Sequence, residues 1–406
     1  MSFITIAAAV IFAGTYFVLA IGKLPGFRLD RAGAALLGAS LMVACGVLSP
    51  GEAFRAIDGN TIALLLGMMI VVANLRLSGF FGIATNWIAR RARHPLILLA
   101  VIVLASGFFS AFLVNDTICL ALAPLVLDVV TRLRRNPVPY LLALAMASNC
   151  GSVALITGNP QNIVIGSLSR IPYGSFSAAL SPVAIMGLLL TIALIALFHP
   201  REFWTRERLD SIPERAPWHA PLMIKSLLVT LLLVILFFAG VTPAKAAILA
   251  GALLLLTRIV KNTKIYLEID WPLLLMFAGL FIVVAGSEKA LLSSTAIADV
   301  GRLHLEQIPV LSAVTAVLSN IVSNVPAVLV LRPFILALHD HRTAWLTVAM
   351  ASTLAGNFTV LGSIANLIVV QKAAAKGVAI GFRDYFKVGA PLTVLTIVFG
   401  AIWLAL

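Results

Sequence analysis

The 406-residue chain is short of charge. Only 11% of its residues are Asp, Glu, Lys or Arg, and 61% are hydrophobic, against roughly 25% charged in an average soluble domain. So little charge cannot solvate a globular surface, and the composition belongs in a lipid bilayer. Cysteine is scarce too. Cys45, Cys119 and Cys150 lie in apolar surroundings without paired spacing, which excludes a disulfide framework and a zinc site. They read as small packing residues, with a soft-ligand role for Cys119 or Cys150 as the alternative. The chain also lacks His-Glu-x-x-His, Gly-x-Ser-x-Gly and Gly-x-x-x-x-Gly-Lys, so no enzyme and no encoded ATPase is expected. A separate ATPase subunit as partner stays open; no metal site and no cofactor is expected. The net charge of +13 does not imply a nucleic-acid partner, because the basic residues fall in short loops, where they set membrane orientation. The first apolar run has no basic start and no Ala-x-Ala exit, so it reads as a retained helix.

What is present is a repeated plan. Apolar runs of membrane-crossing length are predicted near 3–21, 32–48 and 61–77, then a pair near 96–113 and 116–131, an interrupted run near 140–168, and a span near 179–198. After a polar linker, 199–221, the plan returns: 222–240, 244–258 and 271–286, a pair near 308–323 and 325–338, an interrupted run near 344–371, and a span near 388–405. Polar clusters recur in step. Asn115 stands before Pro124 as Asn324 stands before Pro333; Ser148 leads to Gly158-Asn159-Pro160-Gln161-Asn162 as Ser352 leads to Gly362-Ser363-Ile364-Ala365-Asn366. Two copies of one plan around a central site are the signature of a carrier. The expected fold is therefore an all-α polytopic membrane protein of two inverted repeats, 1–198 and 222–406. Each has five transmembrane helices, one of them broken, plus a re-entrant helical hairpin.

Charge decides that the paired segments are hairpins and not full crossings. If each pair enters and leaves on one face, 22 of the 29 Lys and Arg residues share a face and 6 lie on the other, with Arg332 inside the second pair. That bias puts the rich face and the linker in the cytoplasm and both termini outside, in a cell (inner) membrane.

Broken backbone at membrane depth is tolerated only where protein buries it or a watery cavity meets it. Pro160 and Pro326 fit the first turn of new half-helices whose positive ends face a gap. Asn115, Thr117, Ser148, Asn159, Asn162, Asn324, Ser363 and Asn366 supply uncharged donors and acceptors for a substrate, as a carrier that must also release its cargo requires. Asp116, Ser323, Gly158 and Gly362 are the candidates for the coupling ion. Asp116 is the carboxylate at a hairpin tip: it carries a proton, pairs with Arg332, or ligates Na⁺. No second membrane acid is expected to face it. Asp128 reads as a solvated hairpin end. Glu52, Asp58, Asp270, Glu288 and Asp340 read as loop-edge residues, with Asp58 and Asp270 as helix starts.

These residues resemble the ion transporter superfamily of arsenite efflux pumps, related Na⁺/H⁺ antiporters, and citrate and dicarboxylate carriers. Val114-Asn115-Asp116 and Ser323-Asn324-Val325-Pro326 are similar to the tips of the arsenite-pump branch, where carboxylate carriers have Ser-Asn-Thr. Gly158-Asn159-Pro160-Gln161-Asn162 is similar to anion permeases. The resemblance implies a scaffold of the first three helices in each half, a moving part of hairpins and broken helices, elevator-like alternating access, and a homodimer. The expected function is secondary active export of arsenite or antimonite, a small metalloid oxyacid, in exchange for H⁺. The alternatives are a Na⁺- or H⁺-coupled carrier of carboxylates or inorganic anions, a Na⁺/H⁺ antiporter and, outside the class, an anion channel.

Overall fold

The computed structural model describes residues 3–21, 29–91, 93–205, 218–257, 259–291 and 304–406. The middle of the linker, 206–217, and Lys23, Arg28, Arg206, Arg208, Arg215, Arg258 and Arg302 of the charge count lie outside the described residues. Every regular element among the described residues is helical. Seven helices of 18 to 26 residues are long and apolar enough to cross a bilayer. The chain is a multi-pass membrane protein.

The first half runs Phe3–Ile21, Arg31–Ala44 and Gly59–Leu77, then a hairpin of Pro95–Phe112 and Asn115–Arg132. A broken helix follows, Pro137–Ser152 and Pro160–Ser169 joined by the 3₁₀ turn Ile156–Gly158, and then Tyr173–Phe198. The second half repeats this order: Ala220–Phe238, Pro243–Leu255 and Trp271–Leu291, the hairpin Ile308–Val322 and Asn324–Ile335, the broken helix His341–Ala355, Val360–Gly362 and Ile364–Ala374, and Phe382–Ala405.

Matched local chemistry starts matched helices. Asp58 accepts from the backbone N–H groups of Asn60 and Thr61, and Asp270 from that of Leu273. Each carboxylate thus caps the third helix of its half, where the dipole favours it. Asp340 caps His341–Ala355 in the same way, and Asp128 pairs with Arg132 at the exposed hairpin end.

The second helix of each half packs along the third helix of the other. A Cβ on Gly67 would fall 2.4 Å from the Ala247 carbonyl carbon, and one on Gly279 2.6 Å from that of Ala35; only glycine allows backbones this close. The third helices themselves run in opposite directions. Arg76, late in the first, pairs with Glu268, just ahead of the second, while Lys289, late in the second, pairs with Glu52, ahead of the first, at 2.8 Å. Lys289 and the Ser49 cap hold the Glu52 carboxyl down at about 2.

Around this crossing, each hairpin's first arm lies on the broken helix that follows it. Each rear half-helix packs on the second hairpin arm of the other half: Ile364–Ala374 on Asn115–Arg132, and Pro160–Ser169 on Asn324–Ile335. The two halves therefore share one core.

Several expectations change. The break opens after Ser152, ahead of Gly158, because Asn162 can close the cut helix there. A Cβ on Gly158 would meet the Ser152 carbonyl oxygen at 2.1 Å. The spans expected from 179 and 388 begin at Tyr173 and Phe382. The amphipathic helix Phe80–Arg91 was not predicted. Glu288 is not at a loop edge: it sits half-buried inside Trp271–Leu291, with Arg332 Nη1 at 3.8 Å. Arg332 therefore pairs with Glu288 and not with Asp116.

Candidate functional site

Both hairpins turn on a residue that is not glycine but has positive φ, Val114 at 56° and Ser323 at 78°. Such backbone costs about 1–3 kcal/mol per residue and persists only where the surroundings enforce it. The turn aims the first helical residues of each second arm inward: Asn115 and Asp116 on one side, Asn324 and Val325 on the other.

The cut ends of the broken helices are closed alike in both halves. Asn159 caps its half-helix by accepting from the Asn162 N–H at 2.8 Å, and Ser363 accepts from that of Ala365 at 3.2 Å. The Asn162 amide donates back to the Ser152 and Leu155 carbonyls, both at 3.1 Å. The Asn366 amide donates to those of Gly356 and Thr359 at 2.7 and 3.1 Å. One asparagine in each half thus satisfies carbonyls that the break leaves open.

The halves then reach across to each other through the residues after Ser148 and Ser352. Asn149 Nδ2 donates to Asn357 Oδ1 at 2.9 Å and Asn366 Oδ1 at 3.1 Å. Its Oδ1 accepts from Ser363 Oγ at 3.1 Å and Asn115 Nδ2 at 2.9 Å. Thr353 Oγ1 accepts from Asn159 Nδ2 at 3.1 Å and Gln161 Nε2 at 3.2 Å. This chain of bonds fixes an orientation. Carbonyls hold the NH₂ of Asn366, so its oxygen must accept from Asn149; the Asn149 oxygen is then left for the amide of Asn115. Among the described residues the Asn115 Oδ1 has no partner, and neither has that of Asn324, although the two are only 3% and 8% exposed. Buried acceptors are normally paired.

These two oxygens belong to residues lining one small cavity of about 30 Å³, with Asp116, Gln161, Ser323, Ser363 and Arg31. That is the scale of a single water-sized group. Half-buried Asp116 lines the cavity together with Ser363 and Ile364, at the positive end of the Ile364–Ala374 half-helix.

Of the predicted residues, Asn115, Asp116, Ser323, Asn324 and Ser363 line the cavity. Asn159, Asn162 and Asn366 lie buried behind it, while Thr117 is half-buried on the first turn of its arm. Ser148 faces Cys119, whose thiol donates to its Oγ at 3.0 Å. Gly158 and Gly362 end the two 3₁₀ turns. Sequence reading missed Asn149, Thr353, Asn357, Gln161 and Arg31. Asn149 and Thr353 had a signal, a polar residue following the matched serine in both halves.

The family described as citrate transporter matches residues 16–355. The chain belongs to the citrate transporter family. An uncharacterized transporter of Mycobacterium tuberculosis is 30% identical, over 97% of both chains. The silicon efflux transporter LSI3 of Oryza sativa subsp. japonica is 26% identical, over 95% of both. A Dictyostelium discoideum protein carrying the name arsB is 25% identical, over 92% of this chain and 86% of its own. The crystal structure of the YdaH transporter of Alcanivorax borkumensis shares the fold, with a TM-score of 0.64 at 14% identity, covering 99% of this chain and 97% of that one. This member of the citrate transporter family is a membrane transporter.

Proposed function

We propose that this transporter exports a small neutral hydroxylated acid of a metalloid, arsenite or antimonite first, in exchange for protons. The observation that carries the reading is the pair of unpartnered buried oxygens on Asn115 and Asn324. They call for hydrogen-bond donors, and an uncharged oxyacid arrives with several O–H groups. A citrate anion brings mostly acceptors and would leave both asparagine oxygens unmet. Relatives named for silicon efflux and for arsB fit cargo of this chemistry.

Asp116 is the proton carrier in this scheme. It shares the cavity with the cargo, beside the N-terminus of the Ile364–Ala374 half-helix, so loading a proton weakens its attraction to that half-helix. The two inverted repeats, 1–198 and 222–406 about the linker, would supply the alternating access. Their support is the antiparallel course of the third helices. A separate vestibule of about 440 Å³, lined by Asn60, Leu64, Arg170, Phe237, Pro243 and Ala244, lies at the other end of the moving part. The register that matches Gly67 with Gly279 also matches Leu64 with Met276 and Pro243 with Arg31. An elevator-like shift would carry the site from one vestibule to the other, the Arg31 side being cytoplasmic by the charge count.

A second reading, H⁺- or Na⁺-coupled transport of a carboxylate anion, draws on the family description and on Arg31 in the cavity. Counterflow in proteoliposomes separates the two: labelled arsenite exchanges against unlabelled arsenite and antimonite, and citrate, succinate and Na⁺ do not compete. Competition by a carboxylate together with no arsenite exchange refutes the proposal.

A further inference from the structure

Arg31 is the cation among the residues lining the site cavity, and the sequence counts it only as an orientation signal on the basic face. It opens the second helix of the first half, half-buried. It makes no ion pair with any described residue. Two nearby acids are engaged elsewhere: Asp30 accepts from the Gly33 N–H at 2.8 Å and Asp270 from that of Leu273 at 3.0 Å. An unpartnered, partly desolvated guanidinium is expensive to keep. Its five fixed donors suit an oxygen-rich ligand.

The residue sits on the scaffold, not on a hairpin or a broken helix. In the register that pairs Gly67 with Gly279, its counterpart is Pro243, which lines the opposite vestibule and offers neither charge nor side-chain donor. The opposite vestibule has a cation of its own, Arg170, but it caps the end of the half-helix Pro160–Ser169 and not a scaffold helix, so cargo would meet the scaffold guanidinium of Arg31 only while the site faces the Arg31 side.

We propose that Arg31 is a side-specific selectivity residue, donating to the oxygens of the bound oxyacid only in the conformation that faces its own vestibule. This deepens the oxyacid reading and rests on it. A charge-assisted hydrogen bond is strong enough to change binding about tenfold. Arg31 would release the cargo as the site moves away, so it stabilises one bound state and not the translocation barrier.

The test is R31Q, with R31K beside it, in oriented proteoliposomes of the full chain, with arsenite flux measured from each side. For R31Q, KM from the Arg31 side is expected to rise about tenfold. KM from the opposite side and Vmax/KM from both sides stay within about twofold, and R31K recovers part of the loss. An unchanged KM on the Arg31 side overturns the proposal, as does an equal rise on both sides. A uniform fall in Vmax/KM from both sides, the mark of a merely structural residue, also overturns it. If the wild type moves a carboxylate and no oxyacid, the reading of the cargo fails by itself. The same two-sided KM comparison on that carboxylate then decides Arg31.

Discussion

Truncating Asn149 removes the residue through which the halves hold each other. N149A deletes four hydrogen bonds of 2.9 to 3.1 Å and leaves Asn115, Ser363, Asn357 and Asn366 each short of a partner in a fully buried cluster. At about 1 kcal/mol per orphaned group, the loss is about 4 kcal/mol. With unfolding entropy near 2 cal/mol/K per residue over 406 residues, that corresponds to a fall of about 5 °C in melting temperature. The matched change, T353A, removes two accepted bonds of 3.1 and 3.2 Å and a donated one of 3.4 Å to Asn162 Oδ1 and should cost less, about 3 kcal/mol. Thermal unfolding of purified protein in one detergent, followed by intrinsic fluorescence, reads both. N149A within about 1 °C of wild type, or less harmful than T353A, would refute the bonding scheme and with it the orientation assigned to Asn115.

Three further outcomes follow from particular contacts. G67A and G279A push a methyl group into the facing backbone at 2.4 and 2.6 Å; each should destabilise by about 1–3 kcal/mol, seen in the same melts. S323G relieves positive φ at a half-buried position and should stabilise by up to about 1 kcal/mol while slowing flux, because a looser tip holds its asparagine less well. Glu52 is depressed in the fold to about 2 from an ordinary 4.5. Its stabilising contribution is present above pH 4.5 and is lost as pH falls toward 2, so acid unfolding of E52Q should be flatter across that window.

How much of this the residues announce depends on symmetry. The hairpins were readable because Asn115 with Pro124 and Asn324 with Pro333 repeat at one spacing, and both prolines lie inside the second arms. The breaks were readable because Gly-Asn-Pro and Gly-Ser cannot continue a helix quietly, although where each opens depends on which side chain closes it, and that is a tertiary fact. Phe80–Arg91 escaped because a short amphipathic helix has too little mean hydropathy to stand out beside full spans. The partner of Arg332 escaped because Glu288, near a helix end, looks the same in sequence whether it faces water or a neighbouring hairpin. Asn149 was passed over beside the more noticeable Ser148, and Arg31 because a basic residue at a helix start is ordinarily an orientation signal.

The central claim is that the cargo and the proton share the cavity beneath the two hairpin tips, with Asp116 as the carrier of the proton. Its most direct test is arsenite-driven proton movement in proteoliposomes, wild type against D116N, with a pH dye inside. Wild-type vesicles should show proton flux opposite to arsenite, and D116N, with an unchanged melting temperature, should show none. A D116N protein that still moves protons against arsenite with the wild-type pH profile would contradict it.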